Sequence, residues 1–296
     1  MNIFYIIGII IVFFILGYLN NTKKTSAIEH FENGVEFKEC NQPNKIYDNF
    51  YSNIYDELFR SKAREQFEAL QIREITMKKY KGKIKVLDLG CGLGHVCDLF
   101  NQYKYNVSGL DISPKMIEKA KINYPLLDFK VGDMIHPDLY EPKSFTHITC
   151  LFFSIYYNEN IHQVFENVNR WLVPEGYFIV HLVDKRKFDP VLEKSSSLIP
   201  LYNPQRFGRK TQTNLKFSDF NYKADWNLET NPVQFTEIIQ FNNNKVRKNN
   251  HKLFMYTMKK FVNTAENTGF KLINTTDMSI VNHPFNYLFI FQKIYG

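Results

Sequence analysis

Val86-Leu87-Asp88-Leu89-Gly90-Cys91-Gly92-Leu93-Gly94-His95 is the stretch whose reading decides the fold. The apolar run Ile84–Leu89 predicts a strand, and Val96–Tyr103 predicts a helix directly after the glycines. Glycine lets the backbone turn tightly and come close to a ligand where a Cβ would collide. The spacing is GxGxG, not the GxGxxG of a dinucleotide fingerprint, and Asp88 stands two residues before the first glycine.

Working outward, strand-like runs alternate with helical ones. Strands are predicted over Asn106–Leu110, Leu127–Val131, Thr146–Phe152 and Gly176–Leu182, and helices over Pro114–Asn123 and Ile161–Trp171. Such alternation implies a mostly parallel sheet with helices on both faces. Two more acids fall at strand ends, Asp111 in Gly-Leu-Asp-Ile-Ser and Asp133 in Val-Gly-Asp-Met. Three acids thus sit at three successive strand ends, where open α/β sheets form their ligand crevice. Ser113-Pro114 reads as a helix cap followed by proline at the first helical position.

Together these residues resemble the class I S-adenosylmethionine (SAM)-dependent methyltransferases, closely over Tyr47–Leu182 and loosely over Phe270–Gln292. The resemblance implies a Rossmann-like seven-stranded sheet and SAM as the cofactor. It also implies that Asp88 and the Gly90-Cys91-Gly92 backbone hold the methionine end. Asp111 would take the ribose hydroxyls, with Ile112 and Met116 near the adenine. Asp133 would accept from the adenine amino group beside Met134, and Cys150 and Leu151 would line the methionine portion. One departure is Thr146, where the family often carries an acid after the aromatic that opens the fourth strand.

After Asp184 the alternation breaks. Leu215–Trp226, Val233–Phe241 and Lys252–Met255 predict an antiparallel β insert spanning about 185–256, after the fifth strand. Thr257–Thr268 then reads as a helix ended by Gly269, and Phe270–Thr275 and Tyr287–Gln292 as a closing strand pair. From Lys185 to Lys260 there are 15 Lys and Arg against 6 Asp and Glu, an excess larger than the +7 of the whole chain. This basic insert suits anionic lipid, nucleic acid or an acidic substrate, or is simply a solvated face.

Ile3–Leu19 carries no charge, and Lys23 and Lys24 follow it. Seventeen residues span roughly 25 Å, near the lower limit for crossing a bilayer. Positive charge on the C-terminal side predicts a single-pass membrane anchor over residues 1–20 with the catalytic part in the cytoplasm. Residues 21–43 read as a linker, and 44–296 as the SAM-binding domain. The four cysteines, Cys40, Cys91, Cys97 and Cys150, show neither a disulfide framework nor a metal-site spacing.

Methyl transfer needs an aligned acceptor more than a strong base, so no catalytic dyad is required. Tyr156 and His181 are candidate catalytic residues, placed by the resemblance and the strand ends at the acceptor rim with Tyr157 and Asp184. Tyr47, Tyr51 and Tyr55 recur at helical spacing, as a lid or as core. The expected partners are a small-molecule or lipid methyl acceptor and, through residues 3–19, a membrane. No nucleic-acid module is visible. An NAD(P)-dependent oxidoreductase and a non-catalytic scaffold remain alternatives; the glycine spacing opposes the first, and the intact set of acids and glycines the second.

Overall fold

The structure, a computed structural model, describes residues 36–190, 209 and 211–294. The run Ile3–Leu19 lies outside the described residues. Among those described, no helix is long and apolar enough to cross a membrane.

The main sheet has seven strands: β2 (Lys85–Leu89), β3 (Asn106–Asp111), β4 (Asp128–Val131), β5 (Phe145–Cys150), β6 (Leu172–Val183), β11 (Phe270–Asp277) and β12 (Asn286–Lys293). They lie in the order β11-β12-β6-β5-β2-β3-β4. Every pairing from β4 to β6 is parallel, while β12 runs antiparallel to both β6 and β11. The sheet is therefore mostly, not purely, parallel. Successive side chains of β2 serve opposite faces. Val86 joins a core with Ile72, Phe100, Val107, Ile179 and Ile290, and Leu87 and Leu89 join another with Ile148, Phe165, Phe178 and Val180. Both faces are buried, which is why these strands read as near-continuous apolar runs.

The helices are α1 (Pro43–Ile46), α2 (Asn49–Phe59), α3 (Lys62–Ile72, continued by a π turn over Arg73–Met77), α4 (His95–Gln102), α5 (Pro114–Asn123), α6 (Ile161–Trp171) and α7 (Met258–Asn267). Thr146, in place of the family's acid, uses its hydroxyl as acceptor from Lys85 N at 2.9 Å and as donor to Lys85 O at 3.1 Å. One hydroxyl thereby ties β5 to the start of β2.

The insert forms a second sheet, ordered β1-β10-β9-β8-β7 from β1 (Phe37–Cys40), β7 (Gln212–Lys216), β8 (Phe220–Asn227), β9 (Val233–Phe241) and β10 (Val246–Leu253). Three expectations are corrected. Leu215–Trp226 is two strands, because the chain reverses at 217–219, where Phe217 N donates to Phe220 O. The third expected strand begins at Val246, not Lys252. Residues 37–40, expected in the linker, pair in parallel with β10, so the folded unit reaches at least to Phe37.

The inner face of this sheet packs on α2, with Phe50 edge-on to Phe220 and Phe241. Asp48 joins the parts. It caps α2 by accepting from Tyr51 N at 3.1 Å, takes Arg247 of β10 at 2.9 and 3.0 Å, and Lys38 of β1 at 3.1 Å.

Candidate active site

The loop after β2 is held by its neighbour strand. Gly90 N and Cys91 N donate to Leu110 O at 2.7 and 3.0 Å, and Gly92 N donates to Asp111 Oδ2 at 3.0 Å. Gly90 adopts φ +72°, a left-handed backbone. The other oxygen of Asp111 accepts from Ser113 N at 2.8 Å. Ser113 Oγ accepts from Met116 N at 3.1 Å, capping α5, and donates to Tyr47 O at 2.5 Å, which fastens the N-terminal segment over the crevice.

A cavity of about 980 Å³, counting the part open to solvent, lies at these strand ends. Its walls include Gly90, Gly92, Asp111, Ile112, Met116, Asp133 and Met134 of the expected cofactor set. Ile112 offers an exposed apolar side chain, and Asp133 Oδ1 accepts from Ile135 N at 3.1 Å. Pro43, Leu110, Gly132, Ser154 and Asn158 complete the walls with Tyr47, Tyr55 and Tyr157. Sequence reasoning missed those first five. Ser154 and Asn158 carry only a weak signal, their position just beyond the fourth strand.

Four expected residues lie elsewhere. Asp88, Cys91, Cys150 and Leu151 are buried and not on the walls. Asp88 accepts from Thr149 Oγ1 at 2.7 Å and sits 3.9 Å from Cys97 Sγ. Burial, opposed by the Thr149 hydrogen bond, pushes its carboxyl up to about 7. The folded state therefore keeps a proton between the ordinary carboxylate pKa near 3.9 and about 7, and stability falls as pH rises through that window. Asp88→Asn, whose amide oxygen still accepts from Thr149, is expected to flatten urea-derived stability over pH 4–7. It should be more stable than wild type at pH 8.

Neither catalytic candidate reaches the cavity. Tyr156 is buried, and its hydroxyl accepts from Val183 N at 2.8 Å. His181 is fully buried between Glu68 (Nδ1 to Oε1, 2.8 Å) and Asn286 (Nε2 to Oδ1, 3.0 Å). Burial alone would raise Glu68, but the His181 hydrogen bond and Arg64 hold it below its ordinary value. Removing His181 takes away the hydrogen-bonded partner of the buried Glu68 carboxylate and leaves only Arg64, 3.6 Å away, beside it. His181→Ala is expected to cost about 3 kcal/mol of stability, with SAM affinity within about twofold of wild type, as denaturation and calorimetry would show.

Of the tyrosine triplet, Tyr51 is buried and donates to Glu237 Oε1 at 2.7 Å. Tyr47 and Tyr55 instead line both the first cavity and a second of similar size. Ser154 and Tyr157 are likewise shared. The second cavity runs between α2, the turn after β5 and the insert. Phe152, Phe153, Phe188, Trp226 and Phe235 make it aromatic, Arg60, Arg64 and Asp189 give it charge, and His283 adds an imidazole. Trp226 stacks on Phe235 at 4.2 Å, and the Arg64 guanidinium lies 3.9 Å above the Phe152 ring. Among the described residues no group of three or more His, Cys, Asp or Glu could hold a metal.

Residues 87–180 match the family profile described as a methyltransferase domain. An uncharacterized protein of Methanocaldococcus jannaschii is 33% identical over 137 residues, covering 46% of this chain and 49% of that protein. The chain thus spans about half the length of this curated relative. Among solved structures, a SAM-dependent methyltransferase from Clostridium acetobutylicum superposes with a TM-score of 0.62 at 18% identity, over 84% of this chain and 99% of that one. A sugar N-methyltransferase from Streptoalloteichus gives 0.60 at 17%, over 90% and 99%. An amino pentose methyltransferase from Micromonospora echinaspora, solved with SAM bound, gives 0.58 at 18%, over 89% and 100%. The fold is that of the solved SAM-dependent methyltransferases, and residues 87–180 match a methyltransferase-domain profile.

Proposed function

We propose that the chain transfers a methyl group from SAM in the first cavity to a small-molecule acceptor in the second. The observation that carries this reading is the shared wall: Tyr47, Tyr55, Ser154 and Tyr157 border both cavities, so that two ligands would meet there. The first cavity suits the cofactor. The paired acceptor oxygens of Asp111 would take the ribose diol, Asp133 would accept from the adenine amino group, and Ile112, Met116 and Met134 would flank the ring. The glycine backbone at 90 and 92 leaves room for the methionine end. Asp88, Cys91, Cys150 and Leu151 support this wall from beneath. SAM, when bound, supplies a methyl carbon made electrophilic by its sulfonium. The chain contributes alignment and exclusion of water, which account for much of the rate of such a displacement.

Two structural neighbours are described as an amino pentose methyltransferase and a sugar N-methyltransferase. This supports a small polar molecule as acceptor, held against Trp226 and Phe235. A lipid acceptor is the second reading, favoured by the uncharged run Ile3–Leu19 and by Arg186 and Lys187, exposed near the second cavity. In this reading the run anchors the protein once in a membrane, with the enzyme domain on the cytoplasmic side.

Methyl-labelled SAM offered with an aqueous metabolite extract and, separately, a lipid extract tests the acceptor class. Label in an aqueous product supports the first reading, and label in lipid supports the second. No label in either pool, by protein that binds SAM, contradicts both. Retention of the full chain on membranes after alkaline washing, with release of residues 36–296, is the outcome expected of an anchor.

A further inference from the structure

The insert buries polar residues where its strand pattern calls for apolar ones. Glu237 of β9, and Arg247, Asn249 and His251 of β10, all point to the inner face. Arg247 is neutralised by Asp48 and also donates to Asn249 Oδ1 at 2.9 Å. Glu237 accepts from Tyr51 and Tyr222 on one oxygen, at 2.7 and 2.6 Å, and on the other from Asn249 Nδ2 at 2.9 Å, with His251 Nε2 at 2.8 Å. From there a chain of contacts leads outward. His251 Nδ1 lies 2.6 Å from the Tyr157 hydroxyl, and that hydroxyl 2.8 Å from the hydroxyl of Tyr47.

Glu237 anchors the inner end of this chain. Burial alone would raise Glu237, but His251 and the other donors hold it below its ordinary value, so it is ionised and can only accept. His251 Nε2 therefore carries a hydrogen, and in the tautomer whose Nδ1 is bare the Tyr157 hydroxyl donates to that nitrogen. With its hydrogen committed to His251, Tyr157 accepts from Tyr47. In that tautomer each hydrogen points from the cavities toward Glu237, and the oxygen of Tyr47 keeps a lone pair for a ligand. Stability alone does not require an outer end whose tyrosines line both cavities.

We propose that Tyr47, Tyr157, His251 and Glu237 form a proton relay that removes the proton an N–H or O–H acceptor loses on methylation. This rests on the methyltransferase reading above. The acceptor's lone pair forms the bond to the methyl carbon, and the electron pair of the broken carbon–sulfur bond stays on sulfur. The acceptor's proton passes to Tyr47, that of Tyr47 to Tyr157, and that of Tyr157 to His251 Nδ1, which Glu237 then balances as an imidazolium. Burial raises both phenols, so neither stands as a free phenolate and the transfers are concerted. The arrangement follows the logic of a nucleophile, base and orienting carboxylate, with tyrosines extending the reach of the base.

The test uses the full chain with SAM, and tyramine as a probe acceptor that offers both an amine and a phenol. Nitrogen NMR of labelled histidine, with His251→Gln to assign the resonance, is expected to show His251 neutral and protonated on Nε2 at pH 7. Tyr157→Phe keeps the ring and is expected to slow tyramine methylation about a hundredfold, with SAM affinity within about twofold. Fragment masses, which show whether the methyl stays with the amine or with the phenol, separate N- from O-methylation. An imidazolium at pH 7 overturns the relay, as does wild-type turnover by Tyr157→Phe. If wild type does not turn tyramine over, the NMR result decides alone. Failure of wild type to bind SAM removes the methyltransferase reading itself, whereas failure of the relay with SAM bound leaves that reading standing.

Discussion

Asp111→Ala is expected to weaken SAM binding by about a hundredfold or more while leaving the chain folded. Both carboxylate oxygens are already in use within the loop, one from Gly92 N and one from Ser113 N. Each has a second lone pair available to a ribose hydroxyl. Hydrogen bonds to a charged acceptor contribute about 1.5–3 kcal/mol each, so losing two amounts to roughly 3–6 kcal/mol, and about 1.4 kcal/mol is tenfold in affinity. The fold is less exposed to the change. Burial raises the Asp111 carboxyl against the pull of the Ser113 and Gly92 amides, so alanine removes a desolvation cost along with two bonds. Asp111→Asn is also expected to bind poorly. Its amide nitrogen would have to face Gly92 N–H or Ser113 N–H, donor against donor. Circular dichroism beside calorimetry separates lost affinity from lost structure.

Gly90→Ala is expected to destabilise the fold and close the crevice together. At φ +72° an alanine takes a left-handed conformation costing about 1–2 kcal/mol. Its Cβ would also fall 2.5 Å from Ser154 Cβ. Ser154 has little freedom to withdraw, since its hydroxyl donates to Gly90 O at 3.3 Å and it opens the turn 154–157 that carries Tyr156 and Tyr157. Overpacking of this kind adds about 1–3 kcal/mol. The expected total is roughly 2–5 kcal/mol by urea denaturation, with loss of SAM binding in any protein that still folds. Gly92→Ala is the internal comparison. It is also left-handed, at φ +53°, but its Cβ would meet nothing within 4 Å. It should lose only the conformational part, about 1 kcal/mol.

The contrast between Tyr156 and Tyr157 marks how far the sequence could be read. Both follow the fourth strand, and nothing in residue type separates them. The turn sends Tyr156 into the core against Val183 and leaves Tyr157 on the cavities. His181 was misleading for a related reason. It lies on a strand covered on both faces, so the alternation of side chains gives no information about exposure. The β–α order from Ile84 to Leu182 was legible because burial on both faces leaves long apolar runs separated by turn residues. Seven residues of the cofactor-side wall followed from the strand-end acids and glycines and from the family resemblance they carry.

The insert was less legible, and for one physical reason. Arg247, Asn249 and His251 occupy the inward positions of β10, so the apolar signal of that strand appears only at its end, near Leu253. The same substitution of polar for apolar residues supplies the Glu237 network. Strand β1 was missed because its partner lies some two hundred residues away in the chain, and a four-residue strand has no local periodicity to reveal it.

The most direct test of the central claim is a calorimetric titration of the full chain with SAM, with NADH and the Asp111→Ala variant as controls. Saturable SAM binding that is lost or greatly weakened in the variant, with no response to NADH, is the predicted result. A folded wild-type protein that binds no SAM, or that binds NADH in its place, would contradict it.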